Sequence, residues 1–187
     1  MAGSGKSTLA KRIAEEYNLK YSSGGDALMA LATEEGYRHV KSGWWESHEG
    51  MRFLEKRSKD QRFDKAVDEK LLEVAGQGDV VLDSWTMPWL LQKGFKIWLE
   101  ASPRKRTERI ARRDKIPIEE AVKALEKKER QTKAIYKKMY GFDLGDDYTP
   151  FNFILDTESL NADEVFQVLC IVIDYVVLRS QVPPEGQ

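Results

Sequence analysis

The chain has almost no cysteine: Cys170 stands alone among 187 residues. One thiol excludes an internal disulfide and any cysteine-built metal cluster. Histidine is nearly as scarce, with only His39 and His48, too few and too poorly placed for a metal site. An excess of one charge is missing too, since 30 Lys and Arg face 31 Asp and Glu. That balance gives no global pull toward nucleic acid or a membrane surface. The apolar run "VFQVLCIVIDYVVL" is too short for a membrane span and is interrupted by Gln167 and Asp174. Within it, Cys170 reads as a buried, inert thiol. No repeat, low-complexity segment or signal peptide is visible, so the expected compartment is the cytoplasm. Only the tail "SQVPPEGQ" reads as unstructured.

What is present begins at the first residues, "MAGSGKSTLAKRIAEEY". Gly3 to Ser7 match the end of a phosphate-binding loop, G-x-x-x-x-G-K-[ST]. Small residues at Gly3, Ser4 and Gly5 let backbone N–H groups curl round phosphate oxygens. Lys6 can reach the β- and γ-phosphates, Ser7 offers a hydroxyl to Mg²⁺, and Thr8 continues the loop into a helix. Ala10, Ile13, Ala14 and Tyr17 follow the one-sided spacing of that helix, so its positive end faces the phosphates. The glycine that opens the motif would sit one residue ahead of Met1, and the strand that feeds the loop would lie before it.

Helical and extended segments then alternate. The first helix is expected over about 5–17, followed by a short strand and the turn "SSGGD". "DALMALATEEG" reads as a helix capped by Asp26. Phe63, Val67, Leu71, Val74 and Ala75 mark another, ended by Gly76 and Gly78. "DVVLD" and "FKIWLEA" read as short buried strands. A helix is expected over about 103–113, and a longer one between Pro117 and Gly141. "FNFILDT" is a last strand, before a last helix beyond Asn161. This alternation predicts one α/β domain over 1–178 with a parallel sheet, ligands at the strands' carboxyl ends and a flexible tail at 179–187.

Several groups carry chemistry. Asp83, at the end of "VVLD", is placed to hold Mg²⁺ or orient a substrate; capping the next segment is its other reading. Seven basic residues fall between Arg104 and Lys115, and Arg109, Arg112 and Arg113 share one helix face. Arginines so placed can clamp phosphate oxygens, with Arg130 and Lys133 as further candidates. "SSGGD" makes a second anion site at a helix start. Trp44, Trp45, Trp85 and Trp89 are candidates to stack on a base, with packing favoured for Trp89 and Trp98.

The order of these parts resembles the nucleoside monophosphate kinase group, and within it the archaeal type of cytidylate kinase, from Met1 to about Val177. The resemblance implies a P-loop three-layer α/β/α fold and transfer of a phosphoryl group from ATP to a nucleoside monophosphate, CMP or dCMP, with Mg²⁺. It carries phosphate binding onto Gly3, Ser4, Gly5, Lys6, Ser7 and Thr8, catalysis onto Lys6, Arg109 and Arg113 with Arg112 as competitor, and the metal onto Ser7 and Asp83. It places Asp156 and Thr157 beside the adenine, the acceptor part at about 26–62 and the lid at about 104–140. A monomer acting on small nucleotides, without nucleic acid or membrane partners, is expected. Two departures matter. The first, central strand of that fold is absent, so a gap in the sheet is expected, and a start lying about six to eight residues further upstream, roughly one strand plus the missing glycine. Ser84-Trp85 also stands where related kinases often carry Gly-Arg, so either Arg52, Arg57 or Arg62 meets the acceptor phosphate or the acceptor is not the usual one. A kinase of another small acceptor, a nucleotide-binding regulatory module and a nucleic-acid end kinase are the alternatives.

Overall fold

The computed structural model describes residues 1–38 and 43–178. His39, Lys41 and the expected tail at 179–187 lie outside them. Eight helices and four short strands alternate along the described chain. Helix α1 (Lys6–Glu16) leaves the glycine-bearing N-terminal loop directly, with Gly5 at its N-cap and Leu9, Ile13 and Ala14 on its buried side. Strand β1 (Lys20–Ser23) runs straight into α2 (Gly24–Glu34). The cap of α2 is therefore Ser23, whose Oγ accepts from the Asp26 N–H at 3.1 Å, and not Asp26 as expected. The helix begins three residues early, which moves Asp26 into the first turn. There its charge suits the positive helix end.

A short 3-10 turn (Trp44–Glu46) precedes α3 (His48–Lys59), and α4 (Arg62–Gly76) leads into β2 (Val80–Asp83). A single-turn helix not foreseen from the sequence, α5 (Met87–Leu90), separates β2 from β3 (Ile97–Glu100). Then come α6 (Pro103–Asp114), α7 (Ile118–Tyr140), β4 (Phe153–Asp156) and α8 (Ala162–Val172), which ends in a π-helical stretch (Ile173–Leu178). Pro117 and Gly141 bound α7 as expected, and Gly141 takes φ 82°, a left-handed conformation that suits glycine.

The strands pair in parallel as two separate couples, β1 with β2 and β3 with β4. The register sets Ser23 opposite Asp83, and Glu100 opposite Asp156, so both couples align their carboxyl ends. Among the described residues, β2 and β3 are not hydrogen-bonded to each other. Val80, Val81 and Leu82 are accordingly only half-buried, where the sequence predicted a buried strand. What joins the couples is side-chain packing: Leu9 and Ile13 of α1 meet Leu99 of β3 and Val165 and Leu169 of α8, with Val81 and Leu155 against them. A second core, around Phe53, Phe63, Val67 and Leu71, binds α2, α3 and α4 together. A third sets Met1 and Trp98 against Ile135 and Tyr136 of α7. Cys170 is half-buried on α8, and burial raises its thiol pKa, which disfavours the reactive thiolate. Among the described residues no helix is long and apolar enough to cross a membrane.

Candidate active site

The loop conformation follows from its glycines. Gly3 and Gly5 take φ 75° and 94°, which L side chains rarely adopt, and a Cβ on Gly3 would come within 2.6 Å of the Arg106 carbonyl oxygen. Small residues at this bend direct successive N–H groups into one hollow. Ser4 is buried and ties the loop by donating from Oγ to the Met1 carbonyl at 2.9 Å. Lys6, at the start of α1, donates to Asp83 Oδ1 at 2.5 Å. The Tyr21 hydroxyl donates to the other carboxylate oxygen at 3.2 Å. Burial alone would raise the Asp83 pKa, but the Lys6 charge and hydrogen bonds from Lys6, Ser7 and Tyr21 hold it below the ordinary value. The turn after Asp83 is tied by Ser84 Oγ, which accepts from the N–H groups of Thr86 and Met87. Asp83 thus bonds toward the loop rather than capping α5. With Ser7 it forms a pair of neighbouring oxygen donors. Two protein oxygens suit Mg²⁺, which keeps several waters and binds substrate phosphates. No cluster of three or more His, Cys, Asp or Glu side chains forms a metal cage among the described residues.

A cavity opens from the loop, past Asp83, toward α3, α4 and α7. Of the three arginines considered for the acceptor phosphate, only Arg57 lines it. Arg52 is engaged with Glu49 and Arg62 with Asp60, both in exposed pairs. Arg57 is buried and grips Asp64 with two nitrogens, at 2.9 and 2.5 Å, and reaches the Tyr136 hydroxyl at 3.4 Å. Asp68, one turn further along α4, also lines the cavity. Its two oxygens accept from the Thr86 hydroxyl at 2.5 Å and the Tyr140 hydroxyl at 2.7 Å. Burial raises its pKa. Asp26, Trp45 and Trp85 also face the cavity. Trp44 is buried against Phe53, and Trp89 stacks on Phe142, so these two are packing residues. Trp45 already carries the Lys128 ammonium 4.9 Å above its ring.

The basic segment divides by face. Arg113 lines the cavity and donates to Glu46 at 3.1 Å and to Asp114 at 2.6 Å. Arg109 instead donates to the Thr157 hydroxyl at 3.0 Å and the Thr157 carbonyl at 2.6 Å. Arg112 is exposed. Thr157 is buried and donates in turn to the Glu100 carbonyl at 2.8 Å, which links α6 to the ends of β3 and β4. Asp156 accepts from the Glu158 N–H at 2.8 Å and so shapes the turn after β4. On α7, Arg130 is exposed and Lys133 pairs with Asp146. The residues of that helix facing the cavity are Lys128, Thr132 and Tyr136, spaced by four. Lys128 sits 3.5 Å from Glu46, and desolvation lowers its pKa.

Sequence reasoning missed Asp64, Asp68, Lys128 and Glu46. A signal for the first two was present. Phe63, Val67 and Leu71 repeat every four residues on the buried stripe of α4, and Asp64 and Asp68 follow the first two directly. Carboxylates inside an apolar stripe are rarely buried without a partner. Lys128 had no such signal, since it lies in the charged run "EKKER".

Comparison with known proteins shows the family. The family model described as "Cytidylate kinase-like family" matches residues 1–159. A cytidylate kinase of Pyrococcus horikoshii is 32% identical over 94% of this chain and 86% of its own length. One from Methanocaldococcus jannaschii is 32% identical over 93% and 94%, and one from Aeropyrum pernix 33% over 89% and 91%. Among solved structures, an uncharacterized protein from Eubacterium ventriosum superposes with a TM-score of 0.56 at 16% identity, covering 92% of this chain and 93% of that one. It shares the fold alone. With the family model matched over residues 1–159 and these cytidylate kinases above 30% identical over most of the chain, the chain belongs to the cytidylate kinase-like family.

Proposed function

We propose that this chain transfers the γ-phosphoryl group of ATP to a cytidine monophosphate, CMP or dCMP, in the cytoplasm. The observation that carries this reading is the convergence, in one cavity, of Lys6 and Asp83 on the loop side with Arg57 on α3 and Arg113 and Lys128 beside them. A single domain over 1–178 fits this reading, with its acceptor part at about 26–62 and its lid at about 104–140. Its finer architecture on this reading is a P-loop three-layer α/β/α fold with a parallel sheet.

The residues divide the work as follows. Backbone N–H groups of Gly3 to Thr8 hold the donor phosphates, with α1 pointing its positive end at them. Lys6 leaves Asp83 for the β- and γ-phosphates, and Asp83 and Ser7 are then free to hold Mg²⁺. Bound there, the ion would neutralise phosphate charge as the bond breaks. Arg57 is the acceptor-side cation. Arg113, with Lys128, faces charge developing on the transferring group, and Arg109 serves as the second lid arginine when it leaves Thr157. Phosphoryl transfer needs positioning and charge stabilisation more than covalent help. Closing α6 over the site excludes water, which would otherwise hydrolyse ATP.

The test is ADP release from purified protein with Mg-ATP and a panel of CMP, dCMP, UMP, AMP and simple hydroxyl acceptors. Turnover led by CMP or dCMP, with the diphosphate identified as product, is the expected result. Turnover led by a non-nucleotide acceptor, or by none, would overturn the reading.

A further inference from the structure

Two buried aspartates share the acceptor end of the cavity, and their partners differ in kind. Asp64 is matched by a guanidinium that takes both of its oxygens. Asp68 is only 5% exposed, yet its hydrogen bonds come from two neutral hydroxyls, Thr86 and Tyr140. A buried carboxylate held only by neutral donors is poorly compensated. Each of its oxygens keeps a further lone pair. The two hydroxyls fix the carboxylate plane, and fixed groups discriminate better than mobile ones. The surroundings suit the edge of a flat ring: Val67 and Leu28 are apolar, and Trp85 lines the same cavity.

On the reading that the acceptor is a pyrimidine nucleotide, we propose that Asp68 is a specificity-determining residue, accepting a hydrogen bond from the exocyclic amino group of the acceptor's base. An amino-bearing ring such as cytosine gives the carboxylate a further donor for a lone pair still open. Uracil would turn a carbonyl oxygen toward it, placing lone pair against lone pair. The discrimination comes from setting a carbonyl oxygen against a buried carboxylate oxygen, which rejects more strongly than a merely apolar fit. Asp64 differs in that its charge is already matched by the Arg57 guanidinium, which grips both of its oxygens. The same cavity wall thus separates a residue that holds Arg57 in place from one that reads the base.

The test removes the interaction from each side. Wild-type protein is assayed with CMP and with the pyrimidin-2-one ribonucleoside monophosphate, which lacks only the 4-amino group. Its kcat/KM should fall about tenfold or more on loss of that group. Asp68→Asn should bring the two substrates to within about threefold of each other and raise UMP relative to CMP, with KM for ATP unchanged. A wild-type enzyme indifferent to the 4-amino group would overturn the proposal, and this arm needs no variant to fold. So would an Asp68→Asn variant that keeps the wild-type preference. Wild-type turnover of CMP is the control that separates these failures from failure of the kinase reading itself.

Discussion

Replacing Lys6 by alanine tests both the chemistry and the packing of the phosphate loop. Lys6 is 28% exposed at its side chain, while Asp83, 2.5 Å away, is 3% exposed. Removing the ammonium therefore takes the proposed phosphate contact away and also strands a buried carboxylate. For turnover, loss of one preorganised cationic donor predicts a fall of about 10²–10³-fold in kcat. For stability, a buried group left without its partner costs about 1–3 kcal/mol. Tyr21 and Ser7 still reach Asp83, so the lower half of that range applies. In a chain of this size the effect is about 3–6 °C in Tm. The pH dependence identifies the cause. In the wild type the Asp83 pKa is held below its ordinary value, so its contribution is present above about pH 4 and is lost as the pH falls through the folded pKa. Without Lys6, burial dominates and raises that pKa, so the carboxylate destabilises the variant at neutral pH. The gap in Tm between wild type and Lys6→Ala should then be full at pH 7 and narrow by pH 4. Urea or thermal melts at both pH values, with ADP release at pH 7, make the measurement. A gap that does not change with pH would refute the electrostatic argument, and near wild-type turnover would remove Lys6 from the donor site.

Arg113→Ala should lower kcat by at least about tenfold while leaving KM for ATP nearly unchanged, since it lines the cavity with Lys6 and Arg57 and is proposed to face the transferring group. Arg109→Ala should likewise lower turnover more than it weakens ATP binding; a change confined to KM would leave Arg109 as a ground-state contact at Thr157. Arg57→Leu strands Asp64 and should cost about 3–5 kcal/mol, measured by urea melts, whereas the double variant Arg57→Leu with Asp64→Leu should recover most of that loss. Gly3→Ala should cost more than about 1 kcal/mol and weaken ATP binding, because φ 75° and the Arg106 carbonyl both exclude a Cβ; an unchanged Tm would show that the loop bends differently.

The sequence alone determined what depends on neighbours along the chain. Gly3 and Gly5 were read as the bend of a phosphate loop, and they take the left-handed φ values such a bend needs. Pro117 and Gly141 bounded α7, because one lacks an N–H and the other tolerates positive φ. The apolar spacing of "VDEKLLEVAG" located α4 for the same local reason. Tertiary structure decided which charges meet. Arg52, Arg57 and Arg62 are equivalent in the sequence, yet only Arg57 is carried into the cavity, by the packing of α3 on α4 and α7. Arg130 and Lys133 read as well as Lys128, but the rotation of α7 about its axis turns Lys128 inward and the other two away. The absence of pairing between β2 and β3 is likewise a matter of distant segments, since each strand reads locally as complete. Backbone sterics and periodicity act over a few residues and leave a mark at every position. The azimuth of a helix, and so the partner of a buried charge, is set by the summed packing of segments far apart in the chain, such as Asp68 and Tyr140, 72 residues apart.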